Sequence, residues 1–389
     1  MTANDRAEFW WTNITGASAF VSSVADALTE NRLVVLRVPE DLPWRHEMRS
    51  RVQSLYRERV DSTDCLIDEL DMEDENPENR DPGRFLLERF ATKPAVSGGY
   101  REKSSVTIQE YLRKNGVLKK RIVWIKGMND DAEAQWVNFC TGYVPDGAEA
   151  GNIVLELRGP VSFKARKHMS VIQYSEYVSR HDVQLFNSFL LNGEAKRRTE
   201  FSDMLREYIA VVSAGLCGTD AELSAYVTDE VDFRTEDPVS GMMRIAESNV
   251  FEQRGRGRDS VHVLRLARSG NREAIARRVW AAQIQCLFPI VERARIEIIE
   301  RWRESIQDVL DRREIEQYKE ILTDPLEAEL GTLTYMMTLR DNRGEYLLYL
   351  PDQAERDRIQ FLHECRNRLA HAETCSPEQV LGLLRLAGS

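Results

Sequence analysis

Five short apolar runs punctuate the first half of the chain: LVVLRV at 33–38, CLIDEL at 65–70, IVWIKGM at 122–128, IVLEL at 153–157 and SVIQY at 170–174. Runs this short, rich in Val, Ile and Leu and bounded by polar residues, suit strands buried on both faces. Helical periodicity fills several of the gaps. SAFVSSVADALTEN precedes the first run, RHEMRSRVQSLYRERV follows it, and DAEAQWVNFCTGYV follows the third. Strands that alternate with helices imply a mostly parallel sheet covered on both faces, so residues 1–195 are predicted to form an α/β domain.

From about residue 181 the period changes to that of helices throughout. HDVQLFNSFLLNG, FSDMLREYIAVVSAGLCG and TDAELSAYVTDEV follow one another, and Thr219 with Glu222 reads as a capping box at the start of the third. A long amphipathic helix is predicted over roughly 271–312, with Ile275, Val279, Ala282, Cys286, Ile290, Ala294 and Ile298 at helical spacing. Further helices are expected at DPLEAELGTLTYMMTL, at QAERDRIQFLHECRNRLAHAE and at SPEQVLGLLRLA, where Ser376 caps and Pro377 takes the first helical position. Four helices on short or medium connections make an all-α bundle over 271–389.

Composition narrows the class. With 389 residues, 42% hydrophobic and 30% charged, the chain reads as a globular protein of two or three domains. Its longest apolar runs are too short to cross a bilayer. The first twenty residues lack a basic start and a continuous apolar core, which points away from a secretory signal and toward the cytoplasm. Six cysteines stand singly with no C-x-x-C pair, so neither disulfides nor a structural zinc are expected.

A net charge of −11 argues against a protein that coats nucleic acid without specificity, because phosphate binding rests on positive surface. The charge is segregated, however. Residues 64–81 are strongly acidic, while 254–278 hold eight arginines against two acids. Arg254, Arg256 and Arg258 at the head of that stretch are candidate RNA contacts; a solvated basic face, or a dock for the acidic run, is the alternative. The acidic run lacks the central glycine and ordered oxygens of a calcium loop, so no metal is expected there.

The order of elements over residues 10–190 resembles the core of a P-loop NTPase of the AAA or STAND kind. That resemblance implies a helical lid after the core, placed with an arginine-rich linker over 196–270, where Gly255, Gly257 and Gly270 loosen the chain. The residues that hold phosphate are missing. Where G-x-x-x-x-G-K-[ST] belongs, the chain reads PEDLPW; Pro39 and Pro43 lack amide hydrogens, and Glu40 with Asp41 repels phosphate. The third strand, expected to end in an acid for magnesium, ends in Lys126-Gly127-Met128. The domain is therefore read as degenerate, a scaffold or partner-binding surface with no cofactor.

The remaining chemistry lies in ECRNRLAHAE, residues 364–373. At 100° per residue, Leu362, Cys365, Leu369 and Ala372 share one side and should face the bundle core, while His363, Asn367 and His371 form a stripe opposite. Arg366 projects about 140° from His371 around the axis. That separation makes sense if two copies of the helix meet, or if the arginine curls across Ala370.

R-N-x-x-A-H resembles the R-x-x-x-x-H signature of the HEPN family, in which a polar residue follows the arginine; Arg366, Asn367 and His371 match it. The likeness covers about 271–389 and includes the bundle and the motif's place on a late helix. It implies a metal-independent endoribonuclease acting as a dimer that brings two motifs into one cleft, the organisation of bacterial toxins and anti-phage effectors. RNA carries its own nucleophile, the 2′-hydroxyl, so the protein need only move protons and stabilise the phosphorane, leaving a 2′,3′-cyclic phosphate. Histidine titrates near neutrality, which makes His371 the candidate acid or base. Arg366 would hold the phosphate oxygens and Asn367 would orient the histidine or the phosphate. His363 is an auxiliary RNA contact, about 12 Å along the axis from His371 and too far for shared metal ligation. A regulatory or sensor partner is expected for such an activity. The competing reading is a non-catalytic dimerisation or docking subunit, with Arg366 paired to an acidic neighbour and His371 capping the helix end.

Overall fold

The computed structural model describes residues 2–60, 66–73, 81–100, 106–145, 151–158, 162–193, 202–248, 250–255 and 261–388. The first compact unit, Met1–Asp182, runs α1 (Ala3–Asn13), α2 (Thr15–Thr29), β1 (Leu33–Arg37), α3 (Arg45–Val60), β2 (Leu66–Asp71), α4 (Pro82–Phe90), α5 (Pro94–Ser97), α6 (Ile108–Lys114), β3 (Arg121–Lys126), α7 (Asp130–Gly142), β4 (Asn152–Leu157), β5 (Met169–Gln173) and α8 (Tyr174–Tyr177). All five predicted strands form. They make one sheet in the order β2-β3-β4-β1-β5, every pairing parallel.

Period-two alternation sorts the strand residues between two layers. Leu33, Val35, Val123, Ile125, Ile153 and Leu155 pack in a core with Phe85 and Leu86 of α4, Ile108 of α6 and Trp136 and Phe139 of α7. The other face meets α2 and α3: the Asn152 amide donates to Leu28 O at 3.0 Å, and Glu156 reaches Arg45 at 3.0 Å and Arg49 at 3.4 Å. Glu156 is buried, and the Trp124 indole also donates to it, at 2.5 Å.

The loop after β1 turns its carbonyls inward. Arg45 Nη2 donates to Pro39 O at 3.1 Å and to Glu40 O at 3.0 Å, so the carbonyls of this loop face a guanidinium. Lys126, at the end of β3, lies 3.1 Å from Asp71 and 3.7 Å from Glu69. Gly127 follows with φ 71°, and a Cβ there would sit 2.2 Å from Asp71 Oδ1, so this bend admits only glycine.

The second unit, Val183–Ser389, is built from α9 (Arg180–Gly193), which begins at the boundary, then α10 (Asp203–Cys217), α11 (Ala221–Glu230), α12 (Pro238–Glu247), α13 (Val263–Arg268), α14 (Arg272–Arg301) and α15 (Arg303–Arg312). A two-stranded hairpin, β6 (Glu316–Gln317) and β7 (Glu320–Ile321), and a 3₁₀ turn (Pro325–Glu327) lead to α16 (Leu330–Thr338), α17 (Gln353–Ala370) and α18 (Pro377–Gly388). The boundary falls at 182/183 where residue 195 was expected. Helices within 203–268, expected as lid and linker, share one hydrophobic core with α14–α18, because their apolar faces cluster with Ile275, Val279, Leu287 and Leu383.

Two local expectations are corrected. The helix predicted over 271–312 breaks at Trp302 (φ −109°, ψ 20°), whose indole donates to Glu355 Oε1 at 3.4 Å; the apolar period runs on in phase across that break and conceals it. The cap of α11 is Asp220, not Thr219: Asp220 Oδ1 accepts from Leu223 N at 3.0 Å. Among the described residues no helix is long and apolar enough to cross a membrane.

Candidate active site

Helix α17 buries Ile359, Leu362, Cys365 and Leu369, the stripe that its period requires. Its C-terminal end is fixed from several directions. The Trp280 indole of α14 donates to Leu369 O at 2.7 Å. Glu373 N donates to Arg368 O at 2.8 Å and Ala372 N to Leu369 O at 3.4 Å, the paired bonds of a Schellman motif. Ala372 takes the left-handed position with φ 59°, usually given to glycine, and Arg368 Nε reaches forward to Thr374 O at 2.9 Å. Ala372, expected on the core side, is instead exposed, because the chain leaves the helix at His371.

His371 is the C-cap residue and is exposed. Its backbone N–H is bonded to Asn367 O at 2.9 Å, and among the described residues its imidazole has no hydrogen-bond partner. A side chain open to solvent on a backbone held this firmly is suited to moving protons for a ligand that arrives from outside.

The other motif residues are engaged. Arg366 Nη2 bonds Glu329 Oε2 at 3.0 Å, with side-chain exposures of 29% and 35%. The arginine therefore extends toward the start of α16 and does not curl across Ala370, the second of the two arrangements considered; the meeting of two copies is the other. Asn367 Nδ2 donates to His363 Nε2 at 2.9 Å, one turn back, so it does not orient His371 within the chain. His363 itself is half-buried against Gly331 of α16, where an added Cβ would lie 3.3 Å from Nε2. One helix end thus displays an arginine, an asparagine and a histidine, but it does not converge Arg366 and His371 on a single point.

At the head of the basic stretch, Arg254 is held by acidic side chains. The Arg254 guanidinium bonds both Asp220 and Glu222 and lies over the Phe251 ring, 5.1 Å from its centroid, while His262 Nε2 sits 3.2 Å from Asp220 Oδ2. Asp220 is buried and needs that charge, so the half-buried Arg254 is committed to an ion pair with it, where an open RNA contact was expected. Arg256 and Arg258 lie outside the described residues, as does half of the acidic run. Among the described residues no cluster of three or more His, Cys, Asp or Glu could hold a metal ion.

Three residues of this region carry no signal in the sequence. Glu329 sits 37 positions before Arg366, and its carboxylate also accepts from Tyr318 OH at 2.6 Å. Gln283, fully buried in α14, bonds the backbone of Cys375, four residues past His371. No periodicity or motif joins positions so far apart. No family model, curated protein or solved structure matches the chain.

Proposed function

We propose that the second unit is a metal-independent endoribonuclease of HEPN type, working as a homodimer in which Arg366 of one copy and His371 of the other meet across one phosphodiester. The observation that supports this reading most is the exposed imidazole of His371, without a hydrogen-bond partner among the described residues, at the firmly pinned end of α17. On one helix Arg366 and His371 are about 7.5 Å apart along the axis and about 140° around it, so pairing of two helix ends is the way to bring them together.

In that cleft His371 takes the proton of a ribose 2′-hydroxyl or delivers one to the leaving 5′-oxygen. Arg366 holds the equatorial phosphorane oxygens with its two-pronged donor face. The 2′-oxygen bonds to phosphorus, the P–O5′ bond breaks, and the product ends in a 2′,3′-cyclic phosphate. The first unit is proposed to be the degenerate P-loop-like module that receives a regulatory signal or partner. Toxin or anti-phage defence in the cytoplasm is the biological setting in which such restrained cleavage makes sense.

The Arg366–Glu329 ion pair favours a second reading, a non-catalytic dimerisation or docking module, in which the arginine is structural. Incubation with total RNA in chelator separates the two. The nuclease reading expects cleavage to fall about 10²–10⁴-fold in His371→Ala, the usual contribution of a positioned proton-transfer group. Equal cleavage by that variant removes the reading.

A further inference from the structure

We infer that Glu329 is an internal phosphate mimic: in the resting chain its carboxylate occupies the Arg366 guanidinium that a phosphodiester takes in the active state, and Tyr318 latches it there. This inference rests on the ribonuclease reading above.

The argument begins with how α16 is capped. Glu329 stands at the N-cap position, where an acidic side chain ordinarily turns back onto the first amides of its own helix. It makes no such bond. Gln317 caps instead: its Oε1 accepts from Glu329 N at 3.0 Å and from Thr332 Oγ1 at 2.5 Å, and its Nε2 donates to Glu327 O at 2.9 Å. With the cap supplied by another element, the Glu329 carboxylate is free to point outward. Its two oxygens are divided between two donors, Oε2 to Arg366 and Oε1 to Tyr318. A carboxylate that meets the guanidinium through one oxygen presents the negative acceptor that arginine also reads in a phosphate oxygen.

The latch is mounted on a strained support. Tyr318 and Lys319 are the two central residues of the β6–β7 hairpin, with φ 53° and 69°. A turn with both central residues left-handed is normally made by Asn-Gly or Gly-Gly; bulky L-residues there are unfavourable and persist only when the surroundings hold them. The ladder that holds this one has two residue pairs, Glu316 with Ile321 and Gln317 with Glu320. Tyr318 is 73% exposed, so its ring is not anchored by packing and the hydroxyl bond to Glu329 supplies the tie. A short, strained hairpin carrying both the cap and the latch of one carboxylate is an element that RNA or a partner can displace without disturbing the bundle core.

Glu329→Gln keeps the shape of the side chain and removes its charge. Cleavage of RNA by this variant is expected to rise about two- to fivefold over the unaltered chain, the range of a partly exposed ion pair, and the gain vanishes when Arg366→Ala is added. Binding of a 2′-O-methyl oligonucleotide, which cannot be cut, is read in parallel by fluorescence anisotropy and should tighten by the same factor. Absence of cleavage in every form defeats the nuclease reading alone, and the anisotropy arm then decides the inference. Equal or weaker oligonucleotide binding by Glu329→Gln overturns it. Tyr318→Phe, which deletes one exposed hydroxyl, carries the same two readouts if the first variant does not fold.

Discussion

Gln283 and Cys375 form a closed ring of two hydrogen bonds: Gln283 Nε2 donates to Cys375 O at 3.1 Å, and Gln283 Oε1 accepts from Cys375 N at 2.8 Å. Both residues are buried, and Nε2 also donates to Tyr208 OH at 2.9 Å. A side-chain amide thus completes the backbone of the turn that follows His371. Gln283→Leu leaves a buried N–H and a buried carbonyl without partners, each costing about 1–3 kcal/mol. A loss of about 2–6 kcal/mol in denaturant unfolding is expected, with RNA cleavage falling further than the unfolded fraction explains, because the turn that follows His371 loses its tie to α14.

Ala372 offers a test of opposite sign. At φ 59° it occupies the one position of the Schellman turn where a Cβ is unfavourable, by roughly 1–2 kcal/mol. Ala372→Gly relieves that and adds chain entropy to the unfolded state, worth about 0.5–1 kcal/mol in the other direction. The expected net is a stabilisation of up to about 1 kcal/mol, read as a higher denaturant midpoint with unchanged slope. Destabilisation would mean that the turn is held by something other than its backbone bonds.

The buried cluster around Asp220 should set the acid limit of the second unit. Burial raises the Asp220 carboxyl, but Arg254 and His262 outweigh burial and hold it below the ordinary carboxylate range. A group whose folded value is depressed contributes stability that is fully present above the unfolded value, about pH 4, and is lost as pH falls through the lower folded one. Unfolding free energy should therefore be flat near neutrality on this account and decline below about pH 4. Arg254→Ala strands a buried carboxylate and is expected to cost about 3–5 kcal/mol at pH 7, and the acid-dependent part of the decline should shrink with it. Loss of RNA binding without loss of stability would restore Arg254 to the nucleic-acid surface.

What could be read from the chain follows physical lines. Strands such as IVWIKGM and IVLEL are legible because a parallel strand covered on both faces must be almost continuously apolar. The core stripe Leu362–Cys365–Leu369 is legible for the same reason at helical period. The motif is legible as letters. Its state is not: the distance from Arg366 to Glu329 is set by packing of α16 on α17, and neither helix encodes it alone. The pairing of Arg254 is not legible, because a basic stretch looks the same whether its charges face solvent or a buried Asp220. The break at Trp302 leaves no trace since α14 and α15 keep one hydrophobic phase.

The loop after β1 leads to the last expectation. A nucleoside triphosphate needs backbone amides directed at its phosphates; here Pro39 and Glu40 direct carbonyls at Arg45, and Glu156 and Glu69 with Arg49 complete a self-neutralised charge set. Each acceptor in that set repels a phosphate, and the two guanidiniums that could attract it, Arg45 and Arg49, are already bonded to acceptors of the chain. Mg-ATP or Mg-GTP at 1 mM is therefore expected to leave the melting temperature unmoved. Binding with a dissociation constant near 10 μM would instead add about 2.7 kcal/mol, a rise of about 5–10 °C for a unit of this size. Arg45→Ala sharpens the comparison: it exposes the carbonyls and weakens the hold on Glu156, so stability should drop by about 1–3 kcal/mol while nucleotide still produces no shift. A nucleotide-dependent rise in the unaltered chain that disappears in Arg45→Ala would show that the guanidinium turns outward to receive phosphate, and the first unit would then be a switch and not a scaffold.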